Sequence, residues 1–362
     1  MGLPEININF TQKAVSAIDR SARGIVVVVV RDDTGKAPIC ASYRYETDIE
    51  TSAYTSDNLT AIKRAFLIAP TKVYVIKVKA AAEFSEVTAE LEKLKYNYVC
   101  CATSTVTDQQ ALATYIKAKN ANSLSKKYVA VVHNATTTDS KYVINCLNPS
   151  VHEKGNPTAV PMAMYLPRLT SIFAALPLNR SSTYYELDEL ESVTDPTYES
   201  EENINTFIDK GGLMLFNDDG VVRIARGVNS LKTISSTESE EMKKIIIVDA
   251  MNLIIEDIAA EFKKNYVGKY KNSYDNQALF ISSINSYFRG LAKEEVLNPD
   301  FNNEAFVDVP AQREAWESIG TDTSGWTDFK VKKMTFRSNL YFAANIKILD
   351  AIEDFAFNIT MA

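Results

Sequence analysis

The sequence predicts an α/β domain followed by a mixed α+β domain, with a strand-like segment at each end of the chain. Apolar strands alternate with helices in the first half, whereas a hairpin and amphipathic helices occupy the second half. Both termini alternate apolar with polar residues. At 362 residues the chain is long enough for two domains or one large one.

The first half of the chain carries apolar segments that helical segments separate. The helical segments begin near Ser56, at SEVTAELEKLK and at DQQALATYIKAK. Strands that are apolar throughout and alternate with helices are typical of a mostly parallel sheet covered on both faces. The strands that this pattern predicts are GIVVVVV (24–30), VYVIKV (73–78), YNYVCCA (96–102) and YVAVVHN (128–134).

A proline-rich and then acidic stretch follows the predicted α/β region. Six of the eleven prolines lie between residues 149 and 196, and the segment from Glu186 to Glu202 holds eight acids and no base. We interpret this stretch as a domain junction and the acidic run as a solvated linker. The predicted divisions are an N-terminal arm (1–20), an α/β domain that ends in the junction (21–200), a mixed α+β domain (201–350) and a C-terminal arm (351–362).

The charge balance depends on the acidic run. Removing its eight acids from the net charge of −7 leaves +1 for the rest of the chain. A nearly neutral remainder argues against a nucleic-acid binder or a protein that binds anionic membranes. No apolar run approaches the ~20 residues that cross a bilayer, so we expect no membrane insertion.

The second half of the sequence predicts a mixed α+β domain. The turn Asp218-Asp219-Gly220 between apolar segments predicts a hairpin. Thr237 and Glu240 fit a capping box at the start of one helix, and a second helix is expected from about Asp275. The apolar positions of these elements are Ile247, Met251, Ile254, Ile258 and Phe262 in the first helix, Phe280, Ile284, Phe288 and Leu291 in the second, and Leu340, Phe342, Ala344, Ile346 and Ile348 in a late strand.

The two ends of the chain look like strands. PEININF alternates apolar residues with asparagine, and FAFNITMA continues the same pattern at the C-terminus. Chain ends are usually frayed and polar. Each end could pair within its own domain, or it could be donated to the sheet edge of another molecule. The side chains in question are Ile6, Ile8 and Phe10 at the N-terminus and Phe355, Phe357, Ile359 and Met361 at the C-terminus.

Sequence signals of catalysis are weak. His133 ends a predicted strand, but neither a GxSxG motif nor metal-ligand spacing accompanies it. Gly35-Lys36 lacks the upstream glycine of a phosphate loop, and the first strand is not followed by GxGxxG. We therefore expect no enzymatic activity, no cofactor and no metal site.

The cysteines indicate a reducing environment. Cys40, Cys100, Cys101 and Cys146 lack CxxC spacing, and the N-terminus lacks a signal-peptide pattern. We interpret them as reduced thiols of a protein made in the cytoplasm. Cys100 and Cys101 are adjacent in a predicted strand, so their side chains should face opposite sides of the sheet.

Several long segments together resemble a known family, the tail sheath proteins of contractile phage tails and of phage-tail-like bacteriocins from Gram-positive bacteria. The resemblance covers most of the chain and is densest from about residue 165 to the end. The segments that carry it are LTSIFAALPLNRSSTYYELDEL, INTFIDKGGLMLFNDDGVVRIARGVNSL, KIIIVDAMNLIIEDIAAEFKKNYVGKYKNSYDNQALFISSINSYFRGL and IEDFAFNI.

This resemblance implies a helical homopolymer of stacked hexameric rings around a tail tube. An outer α/β domain would be inserted after the N-terminal arm, and an inner mixed domain would face the tube. The small sheet of the inner domain would receive the N-terminal arm of one neighbour and the C-terminal arm of another, with Ile6, Ile8, Phe10, Phe355, Phe357 and Ile359 filling pockets. The lattice would assemble extended and contract on a trigger at the baseplate, and a tail terminator protein would be a further partner.

Two lysines are candidates for contact with the tube. Lys243 and Lys244 open the first C-terminal helix, where the helix dipole disfavours positive charge. An external anionic partner would offset that cost. Many weak ion pairs, each worth about 1 kcal/mol, would sum to a hold that can be released.

Other interpretations remain open at this point. An α/β ligand-binding protein or enzyme would pair its terminal strands internally and carry a pocket at the carboxyl ends of its sheet. A tube protein or another structural tail protein is a third possibility, although a tube subunit has little room for a large outward domain.

Overall fold

The computed structural model describes residues 17–35, 39–103, 105–196 and 203–361. These residues form two compact units. We call residues 21–256 with 350–361 the sheet unit, and residues 17–20 with 257–349 the helical unit. Ile6, Ile8 and Phe10 of the predicted N-terminal arm lie outside the described residues.

A seven-stranded sheet forms the centre of the sheet unit. Its strand order is β10-β6-β5-β4-β1-β3-β2, in which β2 is antiparallel and the other strands are parallel. The strands are β1 (Ile25–Arg31), β2 (Ile39–Tyr43), β3 (Lys72–Val78), β4 (Tyr98–Cys101), β5 (Val129–His133), β6 (Val143–Cys146) and β10 (Gly212–Leu213). The four strands predicted from the sequence, β1, β3, β4 and β5, are thus confirmed, and β2, β6 and β10 extend the sheet on either side.

Helices cover both faces of this sheet and separate two apolar cores. One core contains Val28 and Cys100, and the other contains Val27 and Cys101, so the adjacent thiols face opposite sides as predicted. Residues Val26 to Val30 are all buried, and each buried valine contributes about 1.5–3 kcal/mol of transfer free energy. The helices of the sheet unit are α1 (Ser56–Arg64), α2 (Phe84–Leu91), α3 (Val106–Asn122), α4 (Met162–Ala175) and α5 (Ile204–Asp209).

The proline-rich stretch contains core rather than linker. Helix α4 includes Pro167 and is buried along almost its whole length. Glu189 of the acidic run accepts hydrogen bonds from Arg168 Nε at 2.7 Å and from the Tyr165 hydroxyl at 2.6 Å. Short strands flank α4 in a three-stranded sheet of β7 (Ser150–Glu153), β8 (Val160–Pro161) and β9 (Leu190–Val193).

The division between the units does not coincide with the boundary predicted at residue 200. Strand β10 lies beyond that boundary, yet it pairs with Asn145 and Cys146 at the edge of the main sheet. Gly212 permits this close approach, since a Cβ there would lie 2.3 Å from Leu147 Cδ1. The units divide instead between Glu256 and Asp257, inside helix α6 (Ile245–Glu261).

The predicted hairpin is confirmed. Strands β11 (Leu215–Asp218) and β12 (Val221–Ile224) pair antiparallel around a two-residue turn. Asp219 and Gly220 both have positive φ, at 49° and 86°, which is the conformation that an Asp-Gly hairpin turn requires.

The helix predicted to begin near Thr237 begins later, at Ile245. Thr237 Oγ1 lies 3.2 Å from Ser235 Oγ and does not cap a helix. A 3₁₀ turn covers Glu240–Lys243, and the extended backbone of Lys244 (ψ 133°) separates that turn from α6.

The helical unit packs helices against a small sheet. Helix α7 (Tyr274–Lys293) begins after Ser273, which caps it, and buries the predicted face of Phe280, Ile284, Phe288 and Leu291. Strands β13 (Glu304–Val307) and β14 (Phe342–Asn345) form a two-stranded antiparallel sheet. A π-helical turn (Phe262–Tyr266) and the short helices α8 (Val309–Glu317) and α9 (Asp328–Lys333) complete the unit.

A bilayer-spanning helix is absent from the described part of the chain, where no helix is both long and apolar enough.

A buried carboxyl on α6 makes the stability of the sheet unit depend on pH. Asp249 accepts a hydrogen bond from the Tyr98 hydroxyl at 2.7 Å and lies 3.3 Å from Arg23 Nη2. Burial raises the pKa of Asp249 from 3.8 to about 6, against the opposing effect of Arg23 and Tyr98. The folded state therefore binds this proton more tightly than the unfolded state does.

We predict that the stability of the Asp249→Asn variant increases relative to that of the wild type as the pH rises. The stability that the protonated carboxyl provides is fully present below about pH 4 and is lost as the pH rises through about 6. Across this pH range, the difference in free energy of unfolding between the variant and the wild type should change by on the order of 3 kcal/mol. Urea unfolding of both proteins across this range measures it, with Asp328→Asn as an exposed control. A difference that stays constant with pH would contradict the assignment.

Candidate assembly site

The C-terminal arm is extended and exposed. Residues 351–361 have no regular secondary structure, and no described residue forms a hydrogen bond with the backbone of residues 355–361. Phe355, Phe357, Ile359 and Met361 are 86%, 70%, 73% and 90% exposed. Four large apolar side chains in one exposed segment are typical of a surface that binds another molecule.

A buried carboxylate attaches the start of this arm to the sheet unit. Glu353 has only 3% of its side chain exposed. Its Oε1 accepts hydrogen bonds from Thr183 Oγ1 at 2.7 Å and from Ser181 Oγ at 3.2 Å, and its Oε2 lies 3.1 Å from Lys244 Nζ. The side chain of the neighbouring Ile352 points outward and is almost fully exposed.

Two further carboxylates strengthen this attachment. Asp350 Oδ2 accepts from Lys244 Nζ at 2.5 Å, and Asp354 Oδ1 accepts from Arg226 Nη2 at 2.5 Å. Burial alone would lower the pKa of Lys244, but its bonds to Asp350 and Glu353 raise it, so the ammonium stays charged. We call Asp350, Glu353 and Asp354, with their four partners, the arm root. The arm beyond it begins at Phe355.

The two candidate tube lysines are both engaged within the chain. Lys244 belongs to the arm root, and Lys243 Nζ lies 2.7 Å from Glu240 Oε2. Their contact with a tube stays a prediction, and an acidic partner would have to compete with these carboxylates.

An arginine with five hydrogen bonds lies at the place where an α/β enzyme would bind its ligand. Strand order reverses at β1, and ligands of open α/β sheets bind outside the carboxyl ends at such a point. Arg31 ends β1, and its Nε and Nη2 donate to Asp108 at 2.5 and 2.8 Å. Its Nη1 donates to the carbonyls of Lys79, Ala80 and Ala82. The hydrogen bonds with Asp108 and the charge of that carboxylate raise the pKa of Arg31.

A cavity lies at the carboxyl ends of β5 and β6. It measures about 480 Å³, and His133, Asn145 and Lys232 are among its lining residues. Burial lowers the pKa of His133 and keeps the imidazole neutral. Within the described ranges, no group of three His, Cys, Asp or Glu side chains could hold a metal ion.

Comparison with protein families gives one consistent result. Residues 77–230 match the phage tail sheath protein central domain, and residues 237–362 match the phage tail sheath C-terminal domain. A curated relative, the tail sheath protein of Clostridium phage phiCD119, is 32% identical over 368 residues, which covers 99% of each chain.

Solved structures share the fold at low sequence identity. The contracted helical sheath of the anti-feeding prophage matches with a TM-score of 0.72 at 11% identity, over 99% of both chains. The sheath tail protein from Desulfitobacterium hafniense has a TM-score of 0.70 at 14% identity, over 84% of this chain and 94% of that one. The contracted PVC sheath of an extracellular contractile injection system has a TM-score of 0.66 at 11% identity, over 99% and 98%.

We predict that Glu353→Ala loosens the arm root. The substitution leaves Ser181, Thr183 and Lys244 without their buried acceptor, at a cost of about 1–3 kcal/mol. Hydrogen exchange of residues 350–354 should accelerate, and the free energy of unfolding should fall. Glu186→Ala is the control because its ion pair with Arg223 lies outside the arm root and is exposed. Unchanged exchange in the Glu353 variant would show that this carboxylate does not hold the arm.

Proposed function

The chain belongs to the phage tail sheath family, and from that premise we propose that its copies are joined into a contractile helical sheath by strands donated from their termini. The resemblance found in the sequence is thereby confirmed. The protein is a structural component of a phage tail or a tail-like particle, and we propose no catalytic role for it.

The observation that carries the proposal is the exposure of the C-terminal arm. A strand with alternating apolar side chains and no described pairing partner gains stability when it adds to the sheet edge of another molecule. Donor and acceptor surfaces differ, so the contact is heterologous and propagates into a ring or an open helix. We propose the same role for Ile6, Ile8 and Phe10 because apolar and polar residues alternate there in the sequence.

We further propose the domain arrangement that the family resemblance implies. An outer α/β domain would follow the N-terminal arm, and an inner mixed domain would face the tube and carry the sheet that receives the arms. The matched central and C-terminal family domains support a boundary between residues 230 and 237. The sheet pairing of β10 supports an outer domain that extends beyond residue 200.

Contraction would release a kinetically trapped lattice. Subunits would assemble in an extended arrangement around a tail tube and then rotate and slide into a shorter, wider one that buries more surface. The donated arms would keep neighbours connected during this motion. Baseplate and tail terminator proteins would bound the sheath, and assembly would take place in the bacterial cytoplasm.

In this mechanism the contact between each sheath subunit and the tube is weak, so that contraction can release it. Lys243 and Lys244 are proposed to face the tube, with Lys243 the more available because its only described carboxylate partner, Glu240, is itself exposed. An exposed pair exchanges partners at little cost.

We predict that the C-terminal arm is required for assembly and not for folding. The full-length chain should form tubes or sleeves in negative-stain electron microscopy, whereas a chain that ends at Asp354 should give dispersed particles. The same loss is expected for the combined variant Phe355→Ser, Phe357→Ser and Ile359→Ser, which keeps the chain length. Both variants should match the wild type in circular dichroism, since these side chains are exposed.

Leu124→Ser is the matched control for this experiment. Leu124 is as exposed as the arm residues but lies in the loop after α3, so its loss should leave assembly intact. Polymers formed equally well by the truncated chain would refute donated-strand assembly at this end.

A further inference from the structure

The cavity at the carboxyl edge of the main sheet has no role in the proposed assembly. Parallel α/β sheets bind their ligands at this edge. Arg31 and its hydrogen-bond partners lie at the edge beyond β1, whereas the cavity lies beyond β5 and β6. Its volume of about 480 Å³ is that of an ordinary small-molecule site.

The lining of this cavity is cationic. Lys210, Lys232 and His133 contribute to it, and its described lining contains no carboxylate. The Lys232 ammonium is exposed and forms neither an ion pair nor a hydrogen bond with any described residue. The carboxylate of Asp139 is turned to the backbone instead, since it accepts from the N–H groups of Lys232 and Thr233 at 2.7 and 3.1 Å.

Side-chain amides fix the wall that carries His133. The Ala135 N–H donates to Asn145 Oδ1 at 3.0 Å, and Asn145 Nδ2 donates to the Ala135 carbonyl at 2.8 Å. Gln109 Oε1 accepts from the His133 N–H at 3.2 Å, and Gln109 Nε2 donates to the Cys101 carbonyl at 2.9 Å. Because these amides hold the backbone after β5, a ligand would bind without having to order this segment.

Another part of the lining is apolar. Leu147, Pro149 and Phe207 supply it. Small-molecule sites typically combine apolar lining with a few polar groups that fix the orientation of the ligand. Here the polar groups are cations, so the ligand that fits this lining has an anionic group and an apolar body.

We propose that this cavity, which we call the anion site, binds a small organic anion, with the carboxylate or phosphate group of the ligand at Lys232 and His133 and its apolar body against the apolar lining. None of the described lining residues belongs to the C-terminal arm or to the arm root. Binding at the anion site is therefore a function in addition to donated-strand assembly.

His133 makes binding at the anion site depend on pH. Burial lowers the pKa of His133, and a hydrogen bond with the backbone of Asn148 opposes this effect. A bound anion favours the imidazolium, so the pKa of His133 rises when the ligand binds. The complex therefore takes up a proton, and the affinity increases as the pH falls.

The other titratable groups around His133 do not supply this proton uptake. Lys210 and Lys232 line the same cavity. Hydrogen bonds from Thr233 and from the Lys232 backbone lower the pKa of Asp139, so it stays ionised. Cys146 pairs with His133 in the sheet, and burial raises the pKa of its thiol to about 12.

Calorimetric titration of the full-length chain tests the ligand class. Naphthoate carries both the charge and an apolar body, naphthamide has the same shape without the charge, and inorganic phosphate has the charge alone. We expect naphthoate to bind about tenfold more tightly than either. Phenyl phosphate is the fourth probe, and its affinity relative to naphthoate decides between a phosphate and a carboxylate ligand.

Two results of this titration would overturn the proposal. Equal affinities for naphthoate and naphthamide would show that the cavity does not select an anion. Binding of neither naphthoate nor phenyl phosphate at millimolar concentration would show that it is not a site for organic anions.

Two variants place the ligand in the anion site. Lys232→Gln should weaken naphthoate binding about fivefold. Lys95→Gln is the matched control, because Lys95 is an exposed lysine that precedes β4, at the opposite edge of the sheet. His133→Gln should abolish the increase in affinity at lower pH, which leaves His152 as the only histidine in the chain.

The outcomes for these variants are distinct from a failure of assembly. Equal weakening by Lys95→Gln, or an unchanged pH dependence in His133→Gln, would overturn the placement of the site. All three variants should form filaments as the wild type does, and filaments lost with Lys232→Gln would contradict a site separate from the assembly contacts. Absence of binding by a chain that still polymerises would refute the anion site and leave the proposed function standing.

Discussion

An extended strand needs a sheet edge, and the C-terminal arm has none among the described residues of its own chain. A lone strand that exposes four large apolar side chains is not stable by itself in water. Its free energy is lowered only when another molecule supplies both backbone partners and an apolar surface. The assembly that we propose depends on this constraint, because a donor and an acceptor on different surfaces of one chain lead to a polymer.

Other parts of the structure prepare the C-terminal arm to bind another molecule. Glu353 and the ion pairs beside it fix the point from which the arm leaves the sheet unit, so little conformational entropy is lost along the link when the arm binds. The main sheet, with a core on each face, provides a rigid body on which the arm root is built.

Much of the fold and the C-terminal arm could be predicted from the sequence, and there are physical reasons why other parts could not. The buried strands, the Asp-Gly hairpin and the arm were recognisable because one residue pattern dominates each. Helix α4 was hidden by Pro167, which usually ends a helix but is accommodated here inside a packed core. Strand β6 and the edge strand β10 are short, and they depend on long-range pairing that no local pattern encodes. Nor could the sequence show that Lys244 binds Asp350 and Glu353, which are distant along the chain.

A cryo-electron microscopy reconstruction of the polymer formed by the full-length chain tests the central claim most directly. The account predicts continuous density that leaves Asp354 of one subunit and lies as an added strand on the small sheet of a neighbour. Density in which residues 355–361 fold back onto their own subunit, in a polymer held by other contacts, would contradict it.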